Sequence, residues 1–170
     1  MKDSCQNTIL ETYSRLSDVL SEISENEINK IPFEGSWTAG QNVQHIILAC
    51  SGLPALFAGQ KEKTTRQQDE NVAKLDSIFL DYTAKYESPE NIKPAAVDYL
   101  KDMQLASIKK IQDDLSEAAE VYDLTLLCMD AKVPGFENFT IYEWIHFAIV
   151  HTQRHTHQLE NIAAKLRNSN

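Results

Sequence analysis

Two histidines near the C-terminus, His151 and His155, form the pattern in this sequence that best suits metal chemistry. Residues four apart on a helix lie about 40° apart around the axis and about 6 Å apart along it. Two neutral imidazoles in that arrangement can bind one divalent ion together, as the histidines of an HExxH helix do. Gln158 lies within about 60° of both rings, so its amide could orient one of them.

Both histidines fall on the apolar seam of the helix that the periodicity predicts. The other members of that seam are mostly apolar: Ile141, Trp144, Ala148, Leu159, Ile162 and Leu166. A buried polar ring without a hydrogen-bond partner costs about 1–3 kcal/mol, so two such rings in adjacent turns require a common partner. A metal ion is one such partner, and paired hydrogen bonds to other helices are another. The pattern leaves both interpretations open.

A third histidine, His45, lies on the inward side of another predicted helix. If that helix neighbours the one that carries His151 and His155, three nitrogen donors converge from two rigid elements. Three protein ligands with one open position are typical of a catalytic metal site, whereas a structural site uses four. The alternative for His45 is a hydrogen bond to a carbonyl or a tyrosine. His146 and His157 point away from this face and are predicted to lie at the surface or its flank.

Four segments with helical periodicity must position these side chains. They cover approximately residues 4–28, 38–57, 94–122 and 140–167. Capping boxes, formed by Thr38 with Gln41 and by Thr140 with Glu143, begin the second and fourth helices, and Phe139 is expected to pack on Trp144.

Prolines and turn residues punctuate the rest of the pattern. Pro54 predicts a kink in the last turn of the second helix, and Pro94 predicts the first turn of the third. Residues 59–93 form a longer crossover between these helices, with a polar and mobile stretch at residues 61–70 and a short helix from about Val72. The sequence therefore predicts an all-α four-helix bundle.

Composition and charge restrict the function classes. The chain has 170 residues, which suits one domain over residues 1–170. Five glycines and five prolines are few for a β-sandwich or barrel, because those folds need many turns. Sixteen basic and 25 acidic residues give a net charge of −9, which argues against nucleic acids and anionic membranes as partners.

The sequence also predicts a cytoplasmic location. Its most apolar stretch, residues 43–58, is interrupted by polar residues and is too short to span a bilayer. Residues 1–7 lack the apolar core of a signal peptide. Cys5, Cys50 and Cys128 are scattered and form no CxxC pair, which is typical of reduced thiols.

Two stretches of the chain resemble a known superfamily. Residues 36–45, SWTAGQNVQH, are similar to the W-(S/T)…H signature of the DinB-like superfamily, which includes the YfiT-like metal-dependent hydrolases. Residues 140–144, TIYEW, followed by His151, His155 and Gln158, resemble its closing H-x3-H-x2-Q helix. The resemblance implies an up-down-down-up four-helix bundle, frequent homodimers, and a divalent metal held by His45, His151 and His155. Members of the superfamily also include thiol-dependent S-transferases and isomerases.

Two classes of function follow from these patterns. The first is a metal-dependent enzyme, a hydrolase or a thiol-dependent transferase, that acts on a small molecule with zinc, nickel, iron or copper. The second is a non-catalytic helical bundle that binds a ligand and keeps a structural or vestigial metal site. A third interpretation has buried histidines and no metal. The sequence indicates no general base, because Glu143 lies two turns from His151.

Several other reactive or aromatic residues have simpler structural explanations. Cys50 and Cys128 have no base partner in the sequence pattern, and both are predicted to be core thiols. Trp37, Phe139 and Trp144 either line the mouth of the pocket or fill the core of the bundle.

Overall fold

Helices form where the sequence repeats apolar residues at intervals of three and four. The structure is a computed structural model that describes residues 2–168, and it is mostly helical. In chain order its α-helices are α1 (Lys2–Glu22), α2 (Ala39–Cys50), α3 (Leu53–Ala58), α4 (Val72–Phe79), α5 (Lys101–Val121) and α6 (Ile141–Asn168). A 3₁₀ turn (Glu90–Ile92) and two short strands, β1 (Lys61–Glu62) and β2 (Leu127–Cys128), complete the described elements.

The four long helices pack as neighbours around one apolar core. Both α1 and α2 pack against α5 and α6. Buried side chains from the predicted seams fill the space between them, among them Ile9, Tyr13, Leu16, Ile46, Ile108, Ile111, Leu115 and Ile141. The contact between α2 and α6 meets the condition that the sequence set for His45 to approach the other two histidines.

Both predicted capping boxes are present and fix where the two site-bearing helices begin. At α2 the Gln41 amide donates to Thr38 Oγ1 at 3.1 Å, and the Thr38 amide donates to Gln41 Oε1 at 3.0 Å. At α6, Thr140 and Glu143 exchange the same pair of bonds at 3.1 and 2.9 Å. Each cap is worth about 1 kcal/mol. The ring of Phe139 lies 5.3 Å from that of Trp144, as the predicted staple requires.

The first helix ends earlier than its periodicity predicts. α1 ends at Glu22 rather than near Ile28, because Ser24 begins a separate turn. The Ile28 amide donates to the Ser24 carbonyl, and the Ser24 hydroxyl donates to Glu27. Serine favours such local bonds over a helix interior. Ile28 is nevertheless fully buried, so it still joins the core.

Pro54 divides the second predicted helix instead of kinking its last turn. Proline lacks an amide hydrogen, and its ring clashes with the carbonyl four residues earlier, which here belongs to Cys50. Accordingly α2 ends at Cys50, and α3 begins at Leu53 with Pro54 in its first turn. Proline is tolerated there because the first amides of a helix have no internal partner.

The third long helix starts at Lys101, so the predicted start at Pro94 is wrong. Asn29 binds both backbone groups of Tyr99: the Tyr99 amide donates to Asn29 Oδ1 at 2.9 Å, and Asn29 Nδ2 donates to the Tyr99 carbonyl at 3.0 Å. A backbone satisfied in this way is not available for helical hydrogen bonds. Leu100 is consequently extended and precedes the helix.

The crossover between α3 and α5 is tied to the rest of the molecule. β1 pairs antiparallel with β2, with Lys61 opposite Cys128. The polar stretch after β1, predicted to be mobile, contains Arg66, which forms an ion pair with the buried Glu143 at 2.7 Å. A two-residue strand and a single ion pair leave no periodic signal, so the sequence did not predict them. The predicted short helix is present as α4, packed on α6.

None of the helices within residues 2–168 combines sufficient length with sufficient apolar character to cross a bilayer.

A candidate metal centre

Three imidazoles meet between α2 and α6. His45 comes from α2, and His151 and His155 come from adjacent turns of α6. One ring nitrogen from each lies within 4.8 Å of the other two, and the Nε2 atoms of His45 and His151 are 3.1 Å apart. All three side chains are buried. The structure therefore brings together the three histidines that the sequence singled out.

The orientation of His45 is fixed from outside the cluster. Its Nδ1 lies 2.8 Å from the backbone carbonyl of Ile92 and 3.3 Å from the hydroxyl of Ser88. A carbonyl oxygen can only accept, so Nδ1 carries the proton and Nε2 presents its lone pair to the cluster. The alternative predicted for His45, a hydrogen bond to a carbonyl, is thus present together with the cluster. The two interpretations are compatible because each uses a different ring nitrogen.

His155 is oriented by the glutamine that the sequence proposed. Nδ1 of His155 lies 2.7 Å from Gln158 Oε1, and Asn42 Nδ2 donates to the same oxygen at 3.3 Å. An amide oxygen that accepts both bonds keeps the His155 proton on Nδ1 and leaves Nε2 unprotonated. Asn42 lies one turn before His45 on α2. Asn42 therefore connects α2 with Gln158, the outer partner of His155 on α6.

His151 lies in the most apolar part of the cluster. Phe147 and Phe79 flank its ring at centroid distances of 5.4 and 5.8 Å. Its Nδ1 is buried and has no hydrogen-bond partner among the described residues. This arrangement destabilises the folded protein, because the buried nitrogen has lost its hydrogen bond with water and has gained no other.

Burial keeps the three rings neutral. Burial, together with a smaller effect of the neighbouring His45 ring, lowers the pKa of His155 to about 3. Burial also lowers the pKa of His151 well below its usual value. The neighbouring His155 and His45 rings and the charge of Arg154 add to this shift. Burial lowers the pKa of His45, although its hydrogen bond to the Ile92 carbonyl opposes the shift. Neutral imidazole is the form that binds metals.

The arrangement fits a divalent metal. Bonds of about 2.1 Å allow two nitrogens on one ion to lie at most about 4.2 Å apart, and the His45–His151 separation is within that limit. His45 and His155 each present an unprotonated Nε2, and the Nδ1 of each ring donates to an oxygen acceptor. Such outer partners are the usual support of metal-binding histidines. The three nitrogen donors, their burial and the tautomers of His45 and His155 are therefore all compatible with a divalent metal.

The other two histidines lie outside the cluster, as predicted. Nε2 of His146 pairs with Asp76 on α4 at 2.6 Å. The ring of His157 stacks on Tyr82 at 4.3 Å and remains partly exposed. Neither residue takes part in the group of three imidazoles.

Glu143 and the cysteines have structural surroundings. Burial acts to raise the pKa of Glu143, but hydrogen bonds from Arg66 and from the amides of Thr140 and Asn71 outweigh it and lower the pKa. Its carboxylate is thus committed to the start of α6. Cys5, Cys50 and Cys128 are buried free thiols, and burial raises the pKa of Cys50 to about 11. Such a thiol is a poor nucleophile.

The aromatic residues that the sequence left undecided divide between core and site. Phe139 and Trp144 are buried and pack on each other. Trp37 is only partly buried, and its ring lies 5.2 Å from that of His45. Of the three residues, Trp37 is therefore the one that borders the candidate site.

Comparison with known proteins agrees with this geometry. The sequence model of the DinB superfamily matches residues 8–159, a range that contains all three histidines. The chain belongs to the DinB superfamily. No curated protein and no solved structure matches it. The resemblance inferred from residues 36–45 and from the H-x3-H-x2-Q pattern is confirmed at the level of the superfamily.

Three contributors to the site of this DinB superfamily member were not predicted. The Ile92 carbonyl and Ser88 approach His45 from the crossover, and Asn42 supports Gln158. A backbone carbonyl leaves no trace in the sequence, because every residue has one. Asn42 offered a weak signal, since it lies three residues before His45 and so on the same helix face.

Removal of the Gln158 amide tests the support of His155. Gln158→Leu should weaken metal binding about 10–100-fold, because loss of an outer partner frees the His155 tautomer and ring orientation. Calorimetric titration of the metal-free protein with Zn²⁺ measures the effect. Gln153→Leu is the matched control, because Gln153 lies on the same helix but donates to Thr12 on α1. Equal affinities for the two variants would contradict the role of Gln158.

Proposed function

We propose that this protein is a divalent-metal-dependent enzyme, a hydrolase or a thiol-dependent transferase, that acts on a small molecule. The proposal rests on one observation: three buried imidazoles converge from two packed helices. We propose His45, His151 and His155 as the metal ligands and Gln158 as the residue that orients His155. Three protein ligands leave a coordination position for water or substrate, which favours a catalytic site over a structural one.

The surroundings of the rings would support such chemistry. A divalent ion held by neutral nitrogen donors lowers the pKa of a coordinated water or thiol and polarises a substrate atom. The Ile92 carbonyl and the Gln158 amide keep protons on the outer nitrogens of His45 and His155. Phe79 and Phe147 exclude water on the side of His151. Nitrogen donors suit zinc, nickel or iron, and we propose one of these as the metal.

A specific observation favours a second candidate, a non-catalytic bundle with a structural or vestigial metal site. Among the described residues, no aspartate or glutamate forms a hydrogen bond with the three rings, and the carboxylate of Glu143 is bound by Arg66. An enzyme of this design would depend on a metal-bound water or thiol rather than on a separate general base. A binding protein would need no base.

Turnover assays distinguish the two candidates. Metal-loaded wild type and His45→Ala are compared in a panel of hydrolase and thiol-conjugation reactions. An enzyme should show turnover that falls to background in the variant, since His45 supplies one of three ligands. Turnover that survives in His45→Ala would contradict the proposed mechanism. Stoichiometric metal in the wild type without turnover in any assay would favour the binding protein.

Architecture, assembly and location are proposed from the superfamily and the sequence. We propose that the four long helices form an up-down-down-up bundle in one domain over residues 1–170. The superfamily resemblance supports a homodimer, and the scattered free cysteines and net negative charge support a cytoplasmic location without nucleic-acid or membrane partners.

A further inference from the structure

Arg154 lies on α6 between two of the proposed ligands, yet its side chain binds a different part of the chain. The residue is buried, and its guanidinium donates to backbone carbonyls of Phe79, Asp81 and Ala84. The bond to Asp81 measures 2.7 Å. The ring of Tyr86 lies 5.1 Å from the guanidinium carbon. One buried side chain therefore contacts the crossover at four positions between residues 79 and 86.

The chain that Arg154 holds continues across the imidazoles. We call residues 80–92 the cover segment. It begins after Phe79, whose ring contacts His151, and it ends at Ile92, whose carbonyl accepts from His45. Ser88 also approaches Nδ1 of His45 at 3.3 Å. The cover segment thus runs from Arg154 on α6 to His45 on α2, and its two ends lie beside His151 and His45.

The cover segment has little apolar packing of its own. Leu80, Tyr82 and Tyr86 are 38%, 45% and 60% exposed. Segments with few buried apolar contacts open locally at low free-energy cost. Among the described residues, the side chain of Arg154 and the stacking of Tyr82 on His157 attach the cover segment to α6. The contacts at His45 attach it to α2. Loss of these bonds should therefore shift the segment towards an open state.

We propose that Arg154 is a positioning residue that holds the cover segment over the metal centre and thereby sets the rate at which ions and small ligands enter and leave. The inference rests on the proposed metal site but goes beyond it. If passage requires an opened cover segment, the population of the open state multiplies the rates of entry and exit alike. The affinity then changes much less than either rate.

Arginine suits this task better than lysine does. Its planar guanidinium presents five donors in a fixed fork, which can reach several carbonyl oxygens and stack on an aromatic ring. A lysine keeps the positive charge but has a single ammonium group. Arg154→Lys is therefore the informative variant, because it retains the charge near the histidines while it removes most of the contacts to the cover segment.

The test measures metal exchange and local opening in the full chain. Co²⁺ association and its release to excess EDTA are followed by quenching of tryptophan fluorescence, since the Trp37 ring lies 5.2 Å from that of His45. Arg154→Lys should raise both rates about tenfold, because it loses at least one charge-assisted hydrogen bond, while Kd stays within about threefold. Hydrogen exchange of the metal-free variant should be faster in residues 80–92.

Two further variants complete the design. Arg66→Lys alters another arginine of the crossover, one that binds Glu143 rather than the cover segment, and should leave both exchange rates unchanged. Tyr86→Ala removes an exposed ring that contacts Arg154, so it should fold normally. It should accelerate exchange about two- to fivefold, the value of one cation–π contact.

The outcomes separate this inference from the proposed function. Unchanged rates in Arg154→Lys and Tyr86→Ala, or faster release matched by an equal loss of affinity, would overturn the gating role while the metal site stands. Wild-type protein that binds no Co²⁺ would overturn the proposed function and, with it, the gate. In that case, hydrogen exchange still shows whether Arg154 holds the cover segment.

Discussion

Replacement of His151 by leucine is expected to abolish metal binding and to change the stability of the metal-free protein little. Metal content should fall from near one equivalent to less than about a tenth. The loss follows because two imidazoles remain where three converged. The stability should change little, because removal of a buried Nδ1 that has no hydrogen-bond partner among the described residues offsets loss of the 3.1 Å contact between the Nε2 atoms of His151 and His45.

The contrast between a complete loss of metal and a small change in stability makes this prediction specific. Phe79 and Phe147 already surround the ring with hydrocarbon, so a leucine of similar size finds apolar contacts there. Removal of an unsatisfied buried polar atom is favourable, whereas removal of one partner of a buried hydrogen bond costs about 1–3 kcal/mol, so the two effects oppose each other. A buried polar residue that the fold does not need for its stability is characteristic of a functional site.

Elemental analysis after tag-free purification measures the metal, and urea denaturation in EDTA measures the free energy of unfolding. His157→Leu is the matched control, because His157 lies on the same helix outside the cluster, and it should retain the metal. Full metal content in His151→Leu would contradict the three-histidine site. A large loss of stability without metal would show that His151 is a structural core residue.

The sequence predicted which histidines meet better than it predicted the connections between the helices. Helical spacing placed His151 and His155 on one buried face, and capping boxes fixed the starts of α2 and α6. These signals are local and periodic, so they can be read from one chain. Whether α2 and α6 are neighbours is a property of the packing. The resemblance to the superfamily, rather than the helical pattern, indicated that these two helices are neighbours.

What the sequence did not predict depends on single long-range contacts. Asn29 holds Tyr99 extended and delays α5, and Arg66 fastens a polar stretch to Glu143. The Ile92 carbonyl completes the support of His45 from a segment that has no periodicity. Each contact joins residues more than 40 positions apart through one or two hydrogen bonds. Such bonds leave no repeat by which a sequence pattern could reveal them.

Acidification below pH 6.5 is expected to destabilise the metal-free protein steeply. Burial lowers the pKa of His45, His151 and His155 in the folded state. The unfolded chain therefore takes up protons below the ordinary histidine pKa of about 6.5, while the folded protein does not. The contribution of these three groups to the free energy of unfolding is therefore fully present above about pH 7 and is lost as the pH falls.

The size of the effect follows from the same linkage. At pH 5.5, one unit below the unfolded pKa, each ring that stays neutral in the fold costs about 1.4 kcal/mol, so three cost up to about 4 kcal/mol. Native proteins have about 5–15 kcal/mol in total, so the loss is substantial. Urea denaturation in EDTA at pH 7.5, 6.5 and 5.5 measures it. The pH interval avoids most carboxylate titration, which lies lower.

A double variant identifies the groups responsible. His151→Leu combined with His155→Leu leaves one of the three rings, so the loss of unfolding free energy between pH 7.5 and 5.5 should fall to about a third. An undiminished loss in the double variant would assign the acid sensitivity to other groups and contradict the neutral state of the cluster. The same neutrality allows the folded protein to offer unprotonated nitrogens to a metal at pH values where free histidine is charged. The acid sensitivity of the metal-free protein and its ability to bind a metal in mild acid therefore have one cause, the burial of three imidazoles.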